Sequence, residues 1–392
     1  MSHPLPIVPI APAEYEARSA RLRQKMKEEG LDALIVFSDE YRSGHGTYLT
    51  GYKPINVVEE SPQVVIYVGD APPTTILGRL NLYAARDVIW TKDVRPYHRA
   101  AEFVPELFRP IAQRPSRVGL IGDNLLPMNL FALFREALPL ATFTSVDRLL
   151  IELRQLKSAA EIALMRRAAE INDEVLRAIT SKIRVGMSEM QVAGLCEGPA
   201  RELDADIGSA TVVMSGPNTN YAAWRPSNRR IERGDFVMID FNPSVGNYCN
   251  DGGITVLMPG ASREQTDALA AGFRIVKEIV PKLAPRTSAR TVHDMMLERL
   301  APLGYAPYFT PYVKGLRGVG HGVGVDVVEP PNLSSETDYQ LLPGMTLAIK
   351  LDLHGLPTGG FRVEVVVLFE ERGVRPLNTM VFGQPDDFAI LQ

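Results

Sequence analysis

The chain has 392 residues, of which 45% are hydrophobic and 22% charged, with a formal net charge of −4. That length exceeds one ordinary core and implies two domains, and the hydrophobic-to-charged balance excludes a disordered chain. No basic tract is available to neutralise a run of phosphates, so nucleic acid is not an expected partner. Met1 to Ala13 lacks a charged stretch leading into a long apolar one, and the longest apolar runs, such as Val365 to Phe369, are far shorter than a membrane span. A cytoplasmic location away from membranes is the expectation. Two cysteines, Cys196 and Cys249, are too few for a disulfide framework and read as packed, reduced thiols.

From Ala13 to Gly30, apolar Tyr15, Leu22 and Met26 are spaced among charges and followed by a glycine stop, which predicts an amphipathic helix. Leu31–Ser38, Gln63–Gly69, Arg117–Gly122 and Thr142–Val146 are short β-branched runs and predict buried strands. Their alternation with helical stretches predicts a small α/β domain over residues 1–150. Leu149 to Leu156 is helical in pattern and opens a second domain, 151–392. Three Ser-x-x-Glu/Gln capping boxes follow, at Ser158–Glu161, Ser188–Gln191 and Ser262–Gln265, each ahead of an amphipathic run. Strand-like segments lie between these helices at Ala210–Met214, Phe236–Phe241, Ile254–Met258, Met345–Leu351 and Phe361–Phe369. This pattern predicts an α+β domain with a curved antiparallel sheet.

The chemistry-bearing residues sit at strand ends. Asp240 closes the apolar run from Phe236, and Asp251 follows eleven residues later in Asn250-Asp-Gly-Gly253, so a hairpin can bring the two together. His321 lies between glycines in Gly318-Val-Gly-His-Gly-Val-Gly324, where the backbone can come close to a site. Glu364 interrupts a very apolar strand, with Arg362 on the same strand face as its structural partner. Each alone has a structural explanation: a turn aspartate, a packed histidine, an ion pair. Together, Asp240, Asp251, His321 and Glu364 form an oxygen and nitrogen donor set suited to one divalent Mn, Fe, Co or Zn. Such a metal generates a hydroxide nucleophile and polarises a carbonyl.

In order and spacing, this sequence resembles the pita-bread (creatinase/prolidase-like) superfamily, which holds methionine aminopeptidase, Xaa-Pro aminopeptidase, prolidase and creatinase. The residues carrying the resemblance are Arg154-x-x-Lys-Ser-x-x-Glu-Ile162, Ser215-Gly-Pro-Asn218, Gly234 to Asp240, Asp251, Gly320 to Gly324, Pro343-Gly-Met345 and Arg362-Val-Glu364. Ile35–Phe37 and Tyr48–Tyr52 resemble the family's N-terminal domain. The resemblance implies an α/β N-terminal domain, a pita-bread C-terminal domain and a homodimer. It also implies that Tyr41 to Tyr52, with Arg42 and His45, is the segment that reaches toward the partner subunit.

Three departures accompany the matches. The family's metal-dependent members use two Asp, one His and two Glu. Lys350, in Ala348-Ile-Lys-Leu-Asp352, stands where one of those glutamates is expected. An ammonium has no lone pair to give a metal, so Lys350 can take a metal's place and neutralise the cluster, with Asp352 as a substitute ligand. Ala223 and Val328 stand where the family carries histidines that handle substrate or leaving group. These changes favour a creatinase-like hydrolase of a C–N bond in a small zwitterionic, guanidino or cyclic-amidine compound, with one divalent metal or none. In that reading Glu364 or Asp251 is the general base, Lys350 an electrostatic stabiliser or proton donor, and His321 a further catalytic group. Tyr221 and Trp224 supply a cation-binding face, and Arg225 or Arg362 a carboxylate clamp. The alternatives are a metal-dependent Xaa-Pro peptidase, a lyase on a small sulfonium or ammonium acid, and a non-catalytic binding protein.

Overall fold

The computed structural model describes residues 10–55, 61–309 and 318–391. The chain divides into two compact units, Met1–Arg154 and Gln155–Gln392.

In the first unit the helix Pro12–Glu28 begins on a proline and ends with Lys25 and Lys27 in its last turn, both favourable to the helix termini. Gly30 then takes φ +63°, which turns the chain into the strand Ala33–Ser38. That strand is buried along its whole length because it lies inside a six-stranded mixed sheet. It pairs antiparallel with Gln63–Val68 and parallel with Ser116–Ile121, and the latter pairs parallel with Ala141–Ser145. The sequence reading passes over the two outer strands on the other side, Thr74–Leu77 and Asp93–Pro96. Four residues each are too few to show a period of two. The segment expected to reach a partner subunit forms the short helix Gly44–Thr50, where His45 Nδ1 lies 3.1 Å from Arg154 Nη1.

In the second unit all three capping boxes form with both reciprocal hydrogen bonds, and they start the helices Ala159–Thr180, Glu189–Glu202 and Arg263–Ile279. These helices and Ala289–Leu300 pack on an eight-stranded, wholly antiparallel, curved sheet. Its spatial order is Glu329–Leu333, Gly320–Gly322, Thr346–Leu356, Gly359–Glu370, Gly252–Leu257, Phe236–Phe241 and Val212–Ser215, with Gly373–Pro376 on the outside of Gly359–Glu370.

Strand periodicity decides which side chains meet the helices. Leu347, Ile349, Leu351 and Leu353 enter the core, as do Phe361, Val363, Val365 and Val367. The intervening residues, Lys350, Asp352 and His354 on one strand and Arg362 and Glu364 on the next, therefore face the opposite side of the sheet. Both cysteines are buried and free.

Candidate active site

Antiparallel register brings the charged residues together. Lys350 lies directly opposite Glu364, and Asp352 opposite Arg362. On the next strand Gly253 pairs with both Glu364 and Asp240. A side chain on Gly253 would meet the Ile239 carbonyl at 2.9 Å, so the two carboxylates flank a position that stays bare. The hairpin between Phe236–Phe241 and Gly252–Leu257 returns Asp251 to Asp240, as the spacing predicts. His321 arrives on the strand Gly320–Gly322. There a Cβ on Gly320 would sit 1.9 Å from the Ala348 carbonyl, which is why glycine precedes the histidine.

These side chains form the floor of a cavity of about 290 Å³. Asp240, Asp251, His321, Lys350, Asp352, His354 and Arg362 line it, together with Ser209, Asn242 and the apolar Val212, Ala222, Ala223, Val327 and Val328. Ala223 and Val328, the positions where histidines are expected, thus both face the cavity. Glu364 is 2% exposed and sits beneath the lining rather than in it.

The floor has two halves. In the first, Arg362 holds Asp352 in a two-pronged contact, Nε to Oδ1 at 2.8 Å and Nη2 to Oδ2 at 2.9 Å. The same guanidinium donates to Asp240 Oδ2 and, at 3.0 Å, to the Ala222 carbonyl. Burial raises the Asp352 carboxyl, but Arg362 outweighs it and holds the group well below the usual carboxylate range. Burial opposes the Arg362 charge as well, yet Asp352 and Asp240 keep it well above its ordinary value. Two expectations are corrected here. Arg362 spends its donors on the protein and is no free clamp for a substrate, and Asp352 is engaged by Arg362 rather than swinging in as a metal ligand.

The second half is open. His321 Nδ1 lies 3.0 Å from the Gly322 carbonyl, which only accepts, so Nδ1 carries the proton. Nε2 then faces Asp251 Oδ2 at 3.2 Å and Glu364 Oε1 at 3.9 Å. A lone pair aimed at two carboxylates calls for a cation or a proton between them. Both oxygens of Glu364 and Oδ1 of Asp240 are buried without a hydrogen bond among the described residues. Burial and the neighbouring Asp251 push the Glu364 carboxyl well above its ordinary value and that of Asp240 up to about 6. Burial also raises Asp251, but the contact with His321 prevails and leaves it low.

One oxygen from Asp251, one nitrogen from His321 and one oxygen from Glu364 lie within 4.8 Å of one another, a donor set that fits a divalent metal. The charge balance agrees. Four carboxylates face two fixed cations, Lys350 and Arg362, which leaves the charge that one divalent ion would neutralise.

Other expected site residues lie apart from the floor. Tyr221 and Trp224 are 59% and 65% exposed, Arg225 is exposed, and none of the three lines the cavity. They build no cation-binding cage. His354, given no role from sequence, lines the cavity, with Nδ1 3.1 Å from the Thr219 carbonyl and Nε2 3.9 Å from Asp352. Glu189 is a second residue missed. Buried at the start of a helix, it accepts from Ser215, Asn218 and Ser227, and so ties down the segment that carries Ala222 and Ala223. Its only local signal is its place behind the capping Ser188.

Comparisons with known proteins agree with this fold. Metallopeptidase family M24 matches residues 163–375, and the creatinase/prolidase N-terminal domain matches residues 18–156. The chain belongs to metallopeptidase family M24, and its second unit is a pita-bread domain. It is 27% identical over 298 residues to an Xaa-Pro dipeptidase of Pyrococcus furiosus, covering 71% of this chain and 84% of the relative. An uncharacterized peptidase of Bacillus subtilis is 28% identical over 270 residues, 69% of this chain and 74% of that one. Among solved structures, an X-Pro aminopeptidase from Thermotoga maritima superposes with a TM-score of 0.82 at 22% identity, over 95% of this chain and 99% of that one. No helix among the described residues is long and apolar enough to cross a membrane.

Proposed function

We propose that this chain is a hydrolase of the peptide C–N bond in short peptides of the Xaa-Pro kind, dependent on one divalent metal held by Asp251, His321 and Glu364. The observation that carries this reading is the buried Glu364 carboxylate with no hydrogen-bond partner, beside the Nε2 of His321 and the Oδ2 of Asp251. The relatives named Xaa-Pro dipeptidase support it over a creatinase-like reaction on a guanidino or amidine compound. So does the site. Glu364 does not reach the cavity as a base would, Arg362 is committed, and the exposed aromatics form no cage.

A metal in this position supplies a nucleophilic hydroxide at neutral pH and polarises the scissile carbonyl. The residues do the rest. The Gly322 carbonyl fixes the His321 tautomer so that Nε2 is presented to the centre. Arg362 draws Asp240 Oδ2 to itself and leaves Oδ1 turned to the open half. Val327, Val328, Ala222 and Ala223 give the cavity an apolar part of its lining. The histidines expected at positions 223 and 328 are absent, so proton transfer to the leaving amine falls to groups of the open half.

The test is metal content by plasma mass spectrometry, on protein purified without chelator or metal-affinity tag, alongside an Xaa-Pro dipeptide panel. We expect about one divalent ion per chain, with hydrolysis lost on chelation and restored by Mn, Co or Zn. Full activity in metal-free protein, or no uptake from excess Mn and Co, would falsify the reading.

A further inference from the structure

We propose that Thr255 and Asn378 are positioning residues for the metal centre, two side-chain pins that hold the Asp251 and Glu364 strands at the spacing one divalent ion needs. This rests on the metal reading above and names what sets the affinity of that site.

The pins stand at a seam in the sheet. The strand Gly252–Leu257 pairs with Phe236–Phe241 through all six of its residues. On its other side, among the described residues, it pairs with Gly359–Glu370 at one position, Gly253 with Glu364. Two residues along in either direction, that register sets Thr255 opposite Arg362 and Asp251 opposite Val366. The ladder continues to neither position.

At each of them a side chain stands in for the partner strand. The fully buried Thr255 hydroxyl accepts from the Arg362 N–H at 2.9 Å and donates to the Arg362 carbonyl at 3.0 Å. One oxygen thus serves both groups that a regular ladder would pair with backbone. On the far side the Val366 N–H donates to Asn378 Oδ1 at 3.0 Å, and Asn250 Nδ2 donates to the same oxygen at 2.9 Å. Asn378 therefore spans from the Glu364 strand to the residue before Asp251. Behind it, Asn172 accepts from Asn378 Nδ2 at 3.1 Å. Asn172 also donates to the Phe241 and Gly252 carbonyls at 2.6 and 3.1 Å, on the residues that follow Asp240 and Asp251.

The consequence falls on the donors. Regularly paired strands lie about 4.7–4.9 Å apart, and a side chain set between two backbones widens that gap. Asp251 and Glu364 stand on either side of the seam, and their oxygens reach within 4.8 Å of each other and of His321. Neither pin hydrogen-bonds to Asp251, His321 or Glu364 among the described residues, so each acts through backbone spacing. Groups that hold ligands from behind typically carry about 10- to 100-fold in metal affinity.

The experiment titrates Co into metal-free wild type, Thr255→Val, Thr255→Ser and Asn378→Leu by calorimetry and records the visible Co spectrum of each. Leu300→Ala, a core truncation on the helix Ala289–Leu300, controls for lost stability. Thr255→Val removes the hydroxyl at constant shape and should weaken Co binding by about 10- to 100-fold, with a changed visible band. Thr255→Ser should restore both, and Asn378→Leu should follow Thr255→Val. Leu300→Ala should lose stability yet bind Co as wild type does. Should Asn378→Leu not fold, the two Thr255 variants carry the test. Wild-type affinity in Thr255→Val, or an equal loss in Leu300→Ala, overturns the proposal. If wild type takes up no Co, the metal reading fails on its own, and amide exchange of the metal-free proteins decides the pins. Faster exchange at Arg362 in Thr255→Val and at Val366 in Asn378→Leu, beyond that in Leu300→Ala, sustains them, and unchanged exchange removes them.

Discussion

Glu189 and Glu364 are two glutamates of the same unit, 0% and 2% exposed, and they meet opposite fates. Glu189 Oε1 accepts from Ser215 N at 2.7 Å, Ser215 Oγ at 2.8 Å and Asn218 Nδ2 at 3.0 Å. Its Oε2 accepts from Ser227 N and Oγ. Burial raises the Glu189 carboxyl, but these donors outweigh it and hold the group below the ordinary value. Glu364 has no hydrogen bond on either oxygen, and burial carries it well above. Burial alone does not mark a functional carboxylate, because both are buried. Unmet demand for positive charge does. The satisfied glutamate holds the cavity wall in place, and the unsatisfied one lies under its floor.

The most severe test of this contrast is Arg362, the cation that does satisfy part of the floor. Arg362→Met strands the buried Asp352 and Asp240 carboxylates, and breaking a buried pair from one side costs about 3–5 kcal/mol. The shift should show as a lower denaturant midpoint with an unchanged slope. Arg362→Lys keeps the charge but not the fork and should fall between the two. A loss below about 1 kcal/mol in Arg362→Met would mean that the floor does not depend on a buried cation.

The contrast itself is broken or sharpened by making the same change at both sites. Glu189→Gln replaces one accepting oxygen with an amide NH2 that faces donors and should cost about 1.5–3 kcal/mol. Glu364→Gln, measured in chelator, should be neutral or stabilising, because it removes a buried carboxylate that accepts no hydrogen bond. Added Mn should then raise the melting temperature of wild type but not of Glu364→Gln. Equal costs at the two positions in chelator would show that Glu364 is as well partnered as Glu189 and sink the metal site.

How much of this was legible follows from range. The three capping boxes and the buried strands Ala33–Ser38 and Gln63–Val68 are local, and they read correctly from residues a few positions apart, whereas Thr142–Val146, expected to be buried, falls on the edge strand Ala141–Ser145 and is largely exposed. Asp240, Asp251, His321 and Glu364 stood out because each breaks an apolar or glycine-rich pattern. Lys350 stood out only against the family resemblance, as a lysine where a glutamate is expected. What escaped is set by cross-strand register and by loop closure. Nothing near Asp352 announces that Arg362 lies opposite it, and nothing near Glu189 announces three donors from 26 to 38 residues away. Tyr221 and Trp224 were given a role from residue type alone, which carries no information on which way a loop faces.

The smallest effect expected is on the acid side, and it separates hydrogen bonding from mere burial at Glu189. A carboxyl held below its ordinary value of 4.5 contributes stability that is present above that value and lost as the pH falls through the folded value. The stability gap between wild type and Glu189→Gln should therefore be constant near neutrality and narrow only below about pH 4.5. Denaturant midpoints for both proteins across that range measure it. A gap that widened on acidification would require a Glu189 carboxyl raised by burial, with Ser215, Asn218 and Ser227 contributing less than their distances indicate. Glu189 and Glu364 would then be alike, and the wall of the cavity would need another anchor.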